Sequence, residues 1–110
     1  MTKKVTKENI LQFMGLARRA GKLESGTDSV LAAMRNGSAK LLILSKDLAP
    51  GTVSRVIHGV TYEIPMYRFA TMDELGKAIG TVPRGVIAIT DKGFADKLDE
   101  KLTDYEEDED

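Results

Sequence analysis

Between Lys22 and Ser29 the chain reads KLESGTDS, and the chemistry available there is anion binding. A glycine, Gly26, stands just ahead of a short segment with an apolar stripe. The first N–H groups of a helix have no partner inside it and lie at the positive end of its dipole, so they attract phosphate or carboxylate. A glycine at that point lets backbone approach an anion closely. Lys22, with Arg18 and Arg19 ahead of it, supplies positive charge. Ser25, Thr27, Asp28 and Ser29 supply hydroxyls and a carboxylate for hydrogen bonds. Ser25 and Asp28 also have the spacing of a capping pair, so a capped helix behind a turn accounts for the same residues without a ligand.

Two other stretches carry comparable groups, Lys46 to Pro50 and Arg68 to Met72. In the second, a basic side chain (Arg68) is followed by apolar Phe69 and Ala70 and then by Thr71. An aromatic or apolar face beside cations suits an unstacked nucleobase, because every base has a π-face. Core packing is the competing use of Phe69. The three stretches form one site only if their loops share one end of the fold, beyond the carboxyl ends of the strands.

Catalytic constellations are missing from the pattern. There is one histidine, His58, at the end of an expected helix where a cation suits the dipole. There is no cysteine, so thiol nucleophiles, disulfides and cysteine metal sites are excluded. GLARRAGK lacks the Ser or Thr that completes a phosphate-binding loop of the G-x-x-x-x-G-K-[ST] kind, and no strand precedes it. The pattern therefore reads as a binding protein, not an enzyme, with no metal and no cofactor.

The elements that must position these groups follow from periodicity. Thr6 caps a helix running to about Ala20, with Ile10, Phe13, Met14 and Ala17 on its buried face and Gly21 at its end. Lys22 to Ser25 reads as an extended link. A second helix starts near Thr27, with Val30, Leu31 and Met34 inward. Leu41 to Ser45 and Val86 to Ile89 are continuous apolar runs, as in strands buried on both faces. Thr52 to His58 is a short helix with Val53, Val56 and Ile57 inward. Tyr62 to Phe69 is a strand that Pro65 either confines to an edge or kinks. Thr71 and Glu74 form a capping pair for a helix lined by Leu75, Ala78 and Ile79 and closed by Gly80. Asp91 to about Leu102 is the last helix, with Phe94, Leu98 and Leu102 on one face. Two strands needing cover on both faces, and about five helices to supply it, give a three-layer α/β/α sandwich with a small mixed sheet.

The 110 residues suffice for one domain. The net charge of −1 hides an asymmetry. DYEEDED at the end holds six carboxylates, which leaves eleven acids against the sixteen Lys and Arg elsewhere, a body near +5. Residues 1–58 alone carry ten bases and four acids. A basic body indicates a polyanionic partner. Residues 1–103 are expected to form the domain and 104–110 an acidic disordered tail, too polar to bury a core. The lysine-containing N-terminus has no apolar stretch of the signal-peptide kind, and the longest apolar run is far too short for a bilayer. The expectation is a cytoplasmic protein without a membrane partner.

Four segments taken in order, LARRAGKLESG, LLILSKD, DELGKAIG and RGVIAITDKGFA, resemble the kink-turn-binding ribosomal proteins. These are large-subunit proteins of the seven-Ae and thirty-e type, and the likeness is greatest to the bacterial YlxQ-like branch. It spans about Glu8 to Leu98. The resemblance implies a three-layer α/β/α fold, no catalysis, and association with ribosomal or other structured RNA. Typical members read G-x-N-E-x-x-K at the start of the second helix. Gly26 matches that glycine, while Asp28, Ser29 and Ala32 stand where Asn, Glu and Lys would be. The loop at Phe69, Ala70 and Thr71 matches the family's pocket for an extruded nucleotide by position, and Lys22, Lys46 and Arg84 are candidates for phosphate contacts. An interaction module for transcription or translation proteins, with a drifted RNA surface, is the alternative reading.

Overall fold

The architecture follows from two strands that have no polar face. A computed structural model describes residues 5–105, and in it β2 (Leu41–Leu44) and β4 (Val86–Ile89) are buried at every position. They pair antiparallel, with Leu41 opposite Ile89 and Leu44 opposite Val86. β1 (Leu23–Ser25) adds antiparallel to β4, and β3 (Met66–Arg68) adds parallel to β2, giving the order β1-β4-β2-β3. Side chains alternate across the sheet. Leu41, Ile43, Ile87 and Ile89 therefore join one core and Leu42, Leu44, Val86 and Ala88 the other. Helices α1 (Lys7–Arg19), α4 (Met72–Ile79) and α5 (Lys92–Asp104) cover the first face. Helices α2 (Thr27–Arg35) and α3 (Pro50–His58) cover the second. This is the three-layer sandwich with a small mixed sheet. Each fully buried Leu or Ile contributes about 1.5–3 kcal/mol, and cover on one face alone would forfeit half of that from β2 and β4.

Several boundaries differ from the sequence expectation, each for a physical reason. The link at Leu23–Ser25 is a strand, because β4 offers it an unpaired edge. β3 is shorter than expected. Tyr62 instead donates its hydroxyl to the Ala39 carbonyl at 2.8 Å and packs on the second core. Pro65 has no N–H for the ladder, although its carbonyl accepts from the Leu42 N–H at 2.9 Å. α3 begins earlier, at Pro50, whose fixed φ suits the first helical position. Ile57, expected inward, is half exposed because Val56 takes the inward position. At the other terminus, α5 runs through Asp104, and Tyr105 meets Phe69 edge-on at 5.5 Å. The folded body thus extends two residues past the expected boundary at 103, and acidic residues 106–110 lie outside the described residues.

One helix packs backbone against backbone. A Cβ on Gly76 in α4 would lie 2.4 Å from the Val82 carbonyl oxygen and 2.8 Å from the Pro83 Cα. Nothing flexible can yield there. Gly51, in the first turn of α3, faces open space and has no positive φ. Gly76→Ala is therefore expected to destabilise by about 1–3 kcal/mol, as overpacking does, whereas Gly51→Ala is neutral or stabilises by up to about 1 kcal/mol. Urea melts of both variants against the parent test this, and an unchanged midpoint for Gly76→Ala would contradict the close packing.

Candidate nucleic-acid interface

Strand direction gathers the loops. β1 and β2 are both antiparallel to β4, and β3 is parallel to β2. The carboxyl ends of β1, β2 and β3 therefore share one pole, where β4 begins. The connecting segments are knitted there by main-chain bonds. The Lys46 N–H donates to the Ala70 carbonyl at 2.8 Å, the Ser45 N–H to Gly85 at 2.9 Å, and the Arg84 N–H to Met72 at 3.1 Å. Asp47 Oδ1 accepts from the Met72 N–H at 3.0 Å. The loops at Gly26, Lys46 and Arg68 to Thr71 do meet, and the segment 81–85 joins them.

Lys22 is the exception, and its expected place in this cluster is corrected. It precedes β1, and its carbonyl accepts from the Thr90 N–H at 3.0 Å, beyond the far end of β4. A strand of three residues, about 10 Å at the usual rise, separates it from Gly26.

Helices α1, α2, α3 and α4 all begin at the loop pole, and their starts are not alike. Thr6 accepts from the Asn9 N–H at 3.0 Å and closes α1. Thr71 and Glu74 form a full capping box on α4. α3 starts from Ala49 without a side-chain cap, and its first residue, Pro50, has no N–H to offer. α2 also has no side-chain cap, but its first turn is Thr27, Asp28 and Ser29, all with N–H groups. The expected Ser25/Asp28 pair does not form, because Ser25 belongs to β1 and Gly26 is the N-cap. Gly26 has φ +95, its N–H donates to Val86 at 2.9 Å, and its carbonyl accepts from Val30 at 3.0 Å. One residue thus turns strand into helix and leaves the helix end open. Beside it, Arg84 Nη1 lies 3.9 Å from where a Cβ on Gly26 would sit. Arg84 Nε is buried without a hydrogen-bond partner.

The remaining expected site residues take different roles. Asp28 and Ser29 are exposed, as is Ala32 one turn on. Asp28 lies 3.3 Å from Arg55, but its side chain is 92% exposed, and such a surface pair is worth little. Ser25 and Thr27 are half-buried and Lys46 is exposed. Arg68 is a staple: Nε and Nη2 donate to the Ser45 carbonyl at 3.1 and 2.9 Å, and Nη2 reaches the Lys46 carbonyl at 3.2 Å. Phe69 is only 1% exposed, so its ring packs the core and offers no face to a base. Ala70 is equally sealed and holds φ +62, a conformation that costs a non-glycine residue about 1–2 kcal/mol. The bond from Lys46 to its carbonyl and the burial of Phe69 keep it there.

Sequence reasoning missed Val82 and Asp47. Val82 is 62% exposed, two residues before Arg84. Its signal was a valine that no helical or strand period claims, between Gly80 and Pro83. Asp47 lies in the Lys46 to Pro50 stretch, and only the approach of α4 reveals its hydrogen bond to Met72. Among the described residues no three His, Cys, Asp or Glu side chains gather to hold a metal ion, and no helix is long and apolar enough to cross a membrane.

Residues 8–99 match the ribosomal protein L7Ae/L30e/S12e/Gadd45 family. The chain is similar to the RNA-binding protein YlxQ of Bacillus subtilis (strain 168), with 41% identity over 87 residues, 78% of this chain and 87% of that protein. It is also similar to the solved structure of a protein with unknown function from Bacillus halodurans C. The TM-score is 0.81 and the identity 36%, over 86% of this chain and 96% of that one. The fold recurs in the Giardia lamblia 15.5kD RNA binding protein, with TM-score 0.75 and 18% identity over 94% and 92% of the two chains.

The cap on α4 shapes the Thr71 loop and has a pH signature. The Thr71 backbone N–H holds the Glu74 carboxyl below its ordinary 4.5; partial burial opposes this, and the Lys7 ammonium at 3.1 Å reinforces it. A carboxylate depressed by folding stabilises the fold above its unfolded pKa, and that contribution is lost as pH falls through the folded value. Glu74→Gln should therefore lower Tm at about pH 6 by a few degrees at most, since the pair is partly solvated. The gap to the parent should close as pH falls below the ordinary 4.5 and through the lowered folded value. A gap independent of pH would show that charge on Glu74 is irrelevant to the loop.

Proposed function

The chain belongs to the ribosomal protein L7Ae/L30e/S12e/Gadd45 family, and on that premise we propose that it is a non-enzymatic, cytoplasmic RNA-binding protein. It docks a kinked or bulged RNA on the loop pole. The observation that carries this reading is the open N-terminus of α2 beside the Arg84 guanidinium, at a pole where the α1 and α4 starts are closed by side chains. A phosphate placed there receives N–H groups of the first helical turn, the dipole of α2 and the positive charge of Arg84. Lys46 adds charge from the neighbouring loop. Val82 and Pro83 are exposed and take the apolar role that buried Phe69 cannot. Arg68 and Thr71 shape the loop from within. The ribosomal members of the family and the RNA-binding name of the Bacillus subtilis relative support ribosomal or other structured RNA as the partner.

Base reading is the finer part of the proposal. Ionised Asp28 only accepts hydrogen bonds, so it suits the N1–H or N2–H of guanine. Ser29 and Ala32 beside it add no charge. Phosphate contacts then dominate affinity, and binding should weaken steeply as salt rises.

Asp28→Asn, Ser29→Glu and Ala32→Lys together restore the pattern of typical members on three exposed positions. Folding should hardly change, because Val30, Leu31 and Met34 carry the packing of α2. A bidentate base contact gives about 1–3 kcal/mol of discrimination, so affinity for a kink-turn RNA should rise at least about tenfold over a control whose G·A pairs are replaced. Equal gains on both RNAs would mean that only charge had been added. No gain on either would remove RNA docking from this pole and favour a protein partner there.

A further inference from the structure

The displacement of Lys22 from the loop pole exposes a second feature. At the opposite pole, Arg18 and Arg19 end α1, Arg35 ends α2, and Lys22 and Lys40 flank the end of β4. The Lys22 carbonyl accepts from Thr90, and the Lys40 N–H donates to Ile89 at 2.7 Å. These two lysines therefore stand on either side of one strand, about 10 Å apart across two strand spacings. Arg18 and Arg19 lie in the layer above the sheet and Arg35 in the layer below. All five are exposed. None forms an ion pair among the described residues. Of the carboxylates at this end, Asp91 accepts from the Phe94 N–H at 2.9 Å and Asp96 holds Lys92 at 2.9 Å; Glu24, on the α2 side of β1, and Glu63, ahead of β3, are exposed, and the five cations outnumber them.

Favourable charge at helix C-termini accounts for some of this. Arg18, Arg19 and Arg35 suit the negative ends of α1 and α2, and Lys40 Nζ donates to the Gly37 carbonyl at 3.3 Å. It does not account for Lys22, which follows the turn after α1, or for a patch that continues across all three layers. The surface between the five is equally specific. Its exposed residues are Ala20, Gly21, Asn36 and Gly37, with open space around both glycines and Glu24 at the α2 edge. A protein interface needs a desolvated apolar centre, and there is none among these residues. A low polar surface ringed by cations admits a phosphate backbone instead.

We propose that this pole is a second RNA surface. It holds the backbone of a plain duplex segment without reading its sequence, so that one molecule grips a kinked element at the loop pole and a helical arm at the other. The inference shares with the proposed function only the premise that RNA is the partner, and it is tested with a different RNA and different residues.

The test measures binding to a regular RNA duplex of about 20 base pairs, with no bulge or kink, at low salt. The parent should bind it. Changing Arg18, Arg19, Lys22, Arg35 and Lys40 to Gln should weaken binding at least about tenfold and flatten the salt slope by about 3 or more. Changing Lys46 and Arg84 to Gln should leave duplex affinity within about twofold while weakening binding to a kink-turn RNA. Arg18→Lys, Arg19→Lys and Arg35→Lys should retain duplex binding, and thermal melts check that each variant folds. Failure of the parent to bind the duplex would overturn the proposal, as would unchanged affinity in the five-residue Gln variant. Equally tight binding of a polyglutamate peptide would overturn it in favour of an acidic protein. Loss of duplex binding on changing Lys46 and Arg84 would place the contact at the loop pole and overturn it as well.

Discussion

Burial of β2 and β4 on both faces is the constraint from which the rest of the molecule follows. Four consecutive apolar positions in each of two strands cannot be left half covered, so helices must cross both sides of the sheet. Parallel pairing of β2 with β3 forces a crossover, and α3 supplies it over the second face. α2 returns the chain from β1 over the same face. Because β1, β2 and β3 run the same way, each loop leaving them emerges at one pole. Convergence of the loops is thus a by-product of covering the sheet.

That pole shows how much of a loop's polar chemistry goes to stability. The polar groups that look most available in the sequence are mostly consumed in building it. Arg68 holds the Ser45 and Lys46 carbonyls, Thr71 and Glu74 close α4, and Asp47 holds Met72. What remains outward is small: the first turn of α2, Arg84, Lys46 and Val82. With glycine as its N-cap, α2 forgoes only about a few tenths of a kcal/mol relative to a Ser, Thr, Asn or Asp cap, so an open helix end costs this fold little.

The legible parts of the fold were those written in long periods. The helix faces of α1 and α4 and the apolar runs of β2 and β4 emerged at their expected places, because each repeats one physical demand over many residues. β1 was not legible. Three residues with a single buried leucine carry no alternation, and only the edge of β4 makes them a strand. Phe69 was ambiguous for a similar reason, since an aromatic residue in a loop has the same composition whether it seals a core or faces solvent. Tyr105, outside the expected domain, is what closes over it. Lys22 was misplaced because nearness in sequence to Gly26 hid the strand between them. Gly26 was read as a point where backbone could approach an anion; its φ of +95 as the N-cap was not foreseen, and the side-chain cap assigned to its neighbours depended on a loop that the structure does not have.

The contact of Gly76 with residues 82 and 83 has a consequence for how such a surface can change. Main chain rests on main chain there, so at Gly76 no side-chain volume intervenes between α4 and the segment that leads to Arg84. The position of that guanidinium's backbone is set by the frame. Exposed Val82 can then be exchanged without moving the frame beneath it. The scaffold tolerates drift in what this segment presents while holding the segment in place.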